Sequence, residues 1–257
     1  MSVNILAIGD VSGPVGLDFL TQKLRSIKKH YNISFTVVNG ENASGLGVMP
    51  NQADEMLSAG ADVVTLGNHT WSRREICNYL DDNRYIVRPA NLAPQAPGRG
   101  LGVFTASFGE VCVINLIGRV NMPMESDNPF HEVDKILKSI DAKVILVDFH
   151  AEMTSEKIAM AYHLDGRVSA LWGTHTHVQT SDGRVFPKKM GYITDLGMTG
   201  AIESIIGMEV KEPLEHFLGN PTDRYASASG AAKLEGAVFE IDENTGKCLS
   251  VEAIRVS

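Results

Sequence analysis

The chain has 257 residues, 44% hydrophobic and 21% charged, with 31 acidic against 23 basic side chains for a formal net charge of −8. Length and apolar content suit one large α/β domain over 1–257 with a full core. The acidic balance excludes an extended nucleic-acid-binding surface, though not a nucleotide substrate held by metals.

Three cysteines, Cys77, Cys112 and Cys248, follow no ligand or disulfide spacing and point to a reducing compartment. Met1 to Asp10 has no basic leader pattern, and no apolar run approaches the roughly 20 residues that span a bilayer. The expected location is the cytoplasm, with no membrane partner. A homo-oligomer is compatible with this composition.

In chain order, Val3 to Ile8 reads as a short buried strand. Pro14 to His30 has helical spacing at Leu17, Leu20, Leu24 and Ile27, with Pro14 suited to a first turn. Phe35–Val38 and Val63–Leu66 read as strands, and 52–59 and 73–80 as helices. Strands at 103–105 and 111–116, turned at Phe108-Gly109-Glu110, form a hairpin. A helix over 131–140, a strand over 144–147, a helix over 155–163 and a strand over 168–172 follow. Tyr192–Thr194 is a strand, and 237–241 pairs with 249–254 around Asn244-Thr245-Gly246. The early alternation predicts a mainly parallel buried sheet, and the hairpins a second, more mixed one. Segments 122–130 and 202–223 read as irregular loops that roof a site, cover an edge or meet another copy.

Five apolar strands are each followed by a carboxylate, an amide or an imidazole. Asp10 follows the first strand, Glu41 and Asn42 the second, and Asn68 and His69 the third. His150 follows the strand at 144–147, and His175 and His177 the strand at 168–172. In an open α/β sheet the carboxyl ends of the strands are where sites are built. Four of these five deliveries pass through a glycine, where the backbone can turn tightly. In extended chain the two histidines of Gly173-Thr174-His175-Thr176-His177 point the same way. Any one of these residues alone could be a turn residue or a helix cap.

Carboxylates, amide oxygens and imidazoles together suit a pair of divalent ions such as iron, manganese, zinc or cobalt. Two such ions about 4 Å apart clamp a phosphoryl group and activate a shared water.

Gly9-Asp10, Gly40-Glu41-Asn42, Gly67-Asn68-His69, the separate His150 and Gly173-Thr174-His175-Thr176-His177 resemble the calcineurin-like metallophosphoesterases. Within that superfamily the chain is similar to the bacterial YmdB-type phosphodiesterases, over nearly its full length. Two departures from the general pattern stand out. Ser12 stands where a histidine is usual after Asp10, and Gly40-Glu41-Asn42 replaces Gly-Asp-x-x-Asp. The YmdB type shares both.

The resemblance implies a sandwich of two facing β-sheets flanked by helices, and two divalent ions, iron or manganese first, zinc or cobalt next. It implies that Glu41 bridges both ions, that Asp10, His177 and Asn42 hold one, and that Asn68, His150 and His175 hold the other. Ser12 is the weaker candidate for the first site. His69 would be the general acid and a metal-bridging hydroxide the nucleophile. The implied substrate is a 2′,3′-cyclic nucleotide or another small phosphodiester. A phosphomonoesterase or nuclease on the same scaffold is the alternative among enzymes, and a non-catalytic metal- or nucleotide-sensing regulator the alternative outside them.

Arg119, after the strand ending near Leu116, could neutralise a substrate phosphate or sit in a surface ion pair. Asp148 could orient the His150 imidazole, cap a helix or be solvated. His30, His131, His163 and His216 read as helix-end or surface residues. Gly9 to Pro14 lacks the Gly-Lys-Ser/Thr ending of a P-loop, which excludes that triphosphatase chemistry.

Overall fold

Along the first strand, Ile5 and Ala7 face one side and Leu6 and Ile8 the other, and all are buried. A strand apolar on both faces needs cover on both, which a layered sheet supplies. The computed structural model describes Met1–Ser257. It begins with β1 (Ser2–Ile8), β2 (Asp10–Val11), α1 (Gly13–His30), β3 (Ile33–Asn39), α2 (Pro50–Ala59), β4 (Val63–Thr65), α3 (Ile76–Asp82) and β5 (Ile86–Val87). Next come β6 (Leu101–Ala106), β7 (Gly109–Ile117), α4 (Pro129–Leu137), β8 (Val144–His150), α5 (Thr154–Leu164) and β9 (Ala170–Thr174). The chain finishes with β10 (Arg184–Val185), β11 (Gly191–Ile193), β12 (Met198–Ala201), α6 (Lys211–Phe217), β13 (Ala232–Asp242) and β14 (Cys248–Val256).

One sheet has the order β2-β12-β13-β1-β3-β4-β5, with β14 beside β13; the other runs β10-β11-β9-β8-β7-β6. β1, β3, β4 and β5 are mutually parallel, as are β7, β8, β9 and β11. The sheets face each other across Ile5, Phe35 and Val37 on one side and Val113, Leu146 and Trp172 on the other. The outer face of the first sheet packs on Leu20 and Leu24 of α1 and Met56 of α2. The outer face of the second packs on Val133 of α4 and Met160 of α5. Each such buried side chain stabilises the fold by roughly 1.5–3 kcal/mol. The expected two-sheet α/β sandwich flanked by helices is the observed architecture.

Several boundaries differ from the sequence expectation. β8 continues through Asp148 and Phe149 to His150, and β9 through Gly173 to Thr174. The polar residues read as strand ends are in fact paired, Asp148 with Trp172 and His150 with Thr174. The helix expected at 73–80 starts at Ile76, and that expected at 131–140 is capped earlier by Asn128, whose side chain accepts from Phe130 N and His131 N. A short helix, α6, and the strand β12 lie in or beside stretches read as loop. The two-residue strands β2, β5 and β10 were not expected either. They arise from long-range pairing, which leaves little local signal. No helix is long and apolar enough to cross a membrane.

Candidate metal centre

The parallel strands bring their carboxyl ends to one edge of the sandwich, and the polar residues expected there converge. His150, at the end of β8, is fully buried. Its Nδ1 lies 2.9 Å from Thr174 Oγ1, and Thr174 gives its own proton to Asp148 Oδ1 at 2.7 Å. Nδ1 is therefore the protonated nitrogen, and the Nε2 lone pair faces the site. Around Nε2 stand Asn68 Oδ1 at 2.9 Å, Glu41 Oε1 at 3.0 Å and His175 Nδ1 at 3.1 Å. His175 turns Nε2 to the Glu152 carboxylate at 3.2 Å, so its Nδ1 lone pair points inward too. Four lone-pair atoms from four segments thus meet with no donor between them. Such a set takes up a cation, or else an extra proton.

A second group adjoins the first. Asp10 Oδ1 is buried without a hydrogen-bond partner and lies 3.6 Å from His177 Nε2. His177 directs Nδ1 to the Ile206 carbonyl at 2.8 Å, leaving Nε2 as its lone-pair nitrogen. Asn42 Nδ2 is 3.2 Å from both His177 Nε2 and Glu41 Oε1, while its Oδ1 is buried and orphaned. Turning the amide over puts that oxygen where a cation would need a donor. Glu41 Oε1 borders both groups. The orphaned oxygens of Asp10 and Asn42, with imidazole and carboxylate around them, fit divalent ions of the borderline class.

The electrostatics agree with that fit. Burial works against charge on Asp10, but His177 and His150 hold its carboxyl well below the usual range. Burial likewise opposes charge on Glu41, and His150 again outweighs it. Burial would lower the His150 value, yet Glu41, Asp10 and Asp148 push it up to about 9. Burial and the neighbouring His150 charge bring His175 down to about 4. Burial would lower His177 as well, yet Asp10 and the Ile206 carbonyl raise it, so positive charge is favoured on both sides of Asp10 and Glu41, as it would be for cations.

Two expectations about local geometry are corrected. His175 and His177 are not extended: their φ values are 99° and 63°. They follow the end of β9 through a left-handed loop, which sends His175 to His150 and His177 to Asp10 rather than both to one point. The strand-end glycines are not there to bend, since Gly9, Gly40, Gly67 and Gly173 are absent from the positive-φ residues. They provide space. A Cβ at Gly67 would run into the His150 ring and the Glu41 carboxylate, and one at Gly173 into the Thr194 carbonyl.

Comparison with known proteins shows the family of the chain. The model of the YmdB-like protein family matches residues 6–254. The chain belongs to the YmdB-like family. A Bacillus subtilis (strain 168) relative, 2′,3′-cyclic-nucleotide 2′-phosphodiesterase, is 42% identical and the match covers 99% of this chain and 97% of the relative. The crystal structure of a phosphatase from Mycoplasma pneumoniae superposes with a TM-score of 0.94 at 34% identity, covering 100% of this chain and 94% of that one. A Thermus thermophilus protein of no stated function superposes with a TM-score of 0.92 at 36% identity over 99% of both chains. The chain is thus a phosphoric ester hydrolase with the metallophosphoesterase type of sandwich, a type that implies divalent metals.

Within this YmdB-like frame the remaining residues can be placed. His69 is partly buried; its backbone N–H donates to Glu41 Oε2 at 3.0 Å, and its Nδ1 is 3.4 Å from Ser72 Oγ. Its imidazole is not among the converging donors. Ser12 Oγ is buried and unpartnered, close against Gly207. Arg119 is exposed, one residue beyond Gly118, whose N–H meets the His150 carbonyl. It borders a cleft of about 470 Å³ with Met122 to Ser126, and its guanidinium touches none of the clustered atoms.

Asp148 resolves to the orienting role: it accepts from Thr174, Thr65 Oγ1 at 2.5 Å and Asn39 Nδ2 at 3.3 Å. Burial is the main reason its pKa rises to about 6. Thr174, Glu152 and the Ile206 carbonyl were not anticipated. A hydroxyl in a strand, a carboxylate in a loop and a backbone oxygen carry no pattern that marks them.

Proposed function

We propose that this YmdB-like chain is a dinuclear metal-dependent phosphodiesterase that opens 2′,3′-cyclic nucleotides, with residues 1–257 forming one domain. The observation that supports it most is the meeting of Glu41 Oε1, Asn68 Oδ1, His150 Nε2 and His175 Nδ1 around one point, with Asp10, Asn42 and His177 beside it. In this reading Asn68, His150 and His175 hold one ion, Asp10, Asn42 and His177 the other, and Glu41 lies between them. Iron or manganese suits the mixed nitrogen and oxygen set, with zinc or cobalt next. Bound there, the ions supply Lewis acidity toward phosphoryl oxygens and a water of lowered pKa.

The chain's own residues do the rest. Asp148 and Thr174 fix the His150 tautomer, and Glu152 does the same for His175. Glu41 Oε2 anchors the backbone of His69 next to the bridging carboxylate. His69 then gives a proton to the departing alkoxide, a general-acid role. The Bacillus subtilis relative's name points to cleavage at the 2′ position. Here that means water adds to phosphorus as the bond to O2′ breaks, His69 gives its proton to O2′, the proton released by the water returns through solvent to His69, and the phosphate stays on O3′. Arg119, exposed and one residue beyond Gly118, whose N–H meets the His150 carbonyl, is the side chain offered for a substrate phosphate.

The test is metal analysis of protein purified without chelators, coupled to a screen over 2′,3′-cyclic nucleotides, linear diesters, oligonucleotides and monoesters. Two ions per chain and highest kcat/KM on the cyclic nucleotides are expected. Preference for monoesters or oligonucleotides would move the chain to the phosphatase or nuclease reading. Tight nucleotide binding without turnover would make it a sensor.

A further inference from the structure

Beneath the Gly173–His177 segment lies a buried ion pair that the chemistry above does not use. The side chains of Lys157 and Asp195 are each 1% exposed, with Nζ 2.7 Å from Oδ2. Lys157 belongs to α5, the helix that follows β8 and His150, and Asp195 follows β11. The same Asp195 Oδ2 accepts the Thr176 hydroxyl at 2.8 Å and the Thr176 backbone N–H at 3.3 Å. Its Oδ1 accepts the Gly197 N–H at 2.9 Å.

Thr176 is the residue between His175 and His177. Both histidines hold a left-handed backbone that non-glycine residues rarely adopt. Such a conformation persists only where surrounding contacts impose it. On one side of the loop, Asp10 Oδ2 accepts the His175 N–H at 3.1 Å. On the other, Asp195 grips Thr176. The Lys157 stem packs against Gly173, where a Cβ would meet its Cδ and Cε. A buried ion pair is a poor way merely to fill space, because apolar residues of similar volume often stabilise a fold as well or better.

We propose that Lys157 and Asp195 form a positioning clamp that holds Thr176 and so sets where His175 and His177 present their nitrogens to the metal centre. The clamp refers all three site histidines to one buried carboxylate: His150 through the helix that carries Lys157, His175 and His177 through Thr176. Asp195 is not a ligand itself, since both its oxygens are engaged. The inference rests on reading the centre as a metal site.

The test is calorimetric titration of Mn²⁺ into chelator-stripped protein, with the melting temperature of the stripped protein as control. Thr176→Val removes the hydroxyl but leaves the ion pair. It should weaken Mn²⁺ binding by roughly 10–100-fold, as loss of a ligand's supporting contact does, with little change in melting temperature. Thr176→Ser restores the hydroxyl and should restore the affinity. The double variant Lys157→Met with Asp195→Leu removes the pair without stranding a buried charge, and should weaken Mn²⁺ binding to a similar degree. If the double variant does not fold, the Val and Ser pair decides alone. Wild-type Mn²⁺ affinity in Thr176→Val, or equal weakening in Val and Ser, would overturn the clamp. A wild-type chain that takes up no Mn²⁺ is a different outcome and sinks the metal reading itself.

Discussion

Glu41 and His69 are joined through the backbone: Oε2 of the carboxylate accepts the His69 N–H at 3.0 Å, while Oε1 faces His150 Nε2 at 3.0 Å. Glu41→Gln keeps an oxygen for the His69 amide but removes the charge between the two donor groups. We expect loss of at least one ion and nearly all turnover, because one carboxylate neutralises and spaces two cations. Elemental analysis of the purified variant beside its turnover checks this. Two ions retained with near-normal rate would remove Glu41 from the bridging role.

His69 should be separable from the metals. His69→Ala is expected to keep both ions, since its imidazole lies outside the converging donors. Hydrolysis of substrates with poor alkoxide leaving groups should slow by roughly 10²–10⁴-fold, the range of general acid catalysis. Bis-p-nitrophenyl phosphate, whose nitrophenolate leaves without protonation, should suffer much less. Equal losses on both substrates would assign His69 to charge stabilisation, and a lost ion would make it a ligand.

The left-handed loop sends its two histidines to different partners, His175 to His150 at 3.1 Å and His177 toward Asp10 at 3.6 Å. His175→Ala and His177→Ala should therefore empty different metal positions. Anomalous scattering from crystals of each variant, soaked in Mn²⁺, would show which peak disappears. The same peak lost in both would refute the division of ligands.

Metal uptake should depend on pH through His150. Its value in the metal-free chain is about 9 against an ordinary 6.5, so below about 9 an entering cation displaces a proton. Apparent Mn²⁺ affinity should rise about tenfold per pH unit up to that point and then level off, if one proton is displaced. Calorimetry in buffers of different ionisation enthalpy reads the released proton. The same shift has a stability consequence. A folded value above the unfolded one contributes stability that is complete below about 6.5 and lost as pH rises toward 9. The melting temperature of stripped protein should fall across that window. A flat profile with no proton release would mean that His150 is neutral before the metal arrives.

The sequence by itself was enough for most strands and helices and for two sheets, because apolar runs with period two and period 3.6 are local patterns that burial imposes on each element; that the two sheets face each other was implied by the family resemblance. It also placed Asp10, Glu41, Asn68, His150, His175 and His177 near strand ends, and in a parallel sheet those ends share an edge. Which atom of each residue faces the others was decided only by tertiary structure. His150 presents Nε2 because Thr174 and Asp148 hold its Nδ1, and those contacts join β8 to β9 across a sequence gap that no spacing rule covers. His175 and His177 diverge because the loop is left-handed, a conformation maintained by Asp10 above and Asp195 below rather than by the residues' own preference. The glycines looked like turn residues and proved to be clearances, since the atoms they make room for belong to other segments. Tautomer, loop handedness and clearance all depend on atoms distant in sequence, and only the folded chain brings those together.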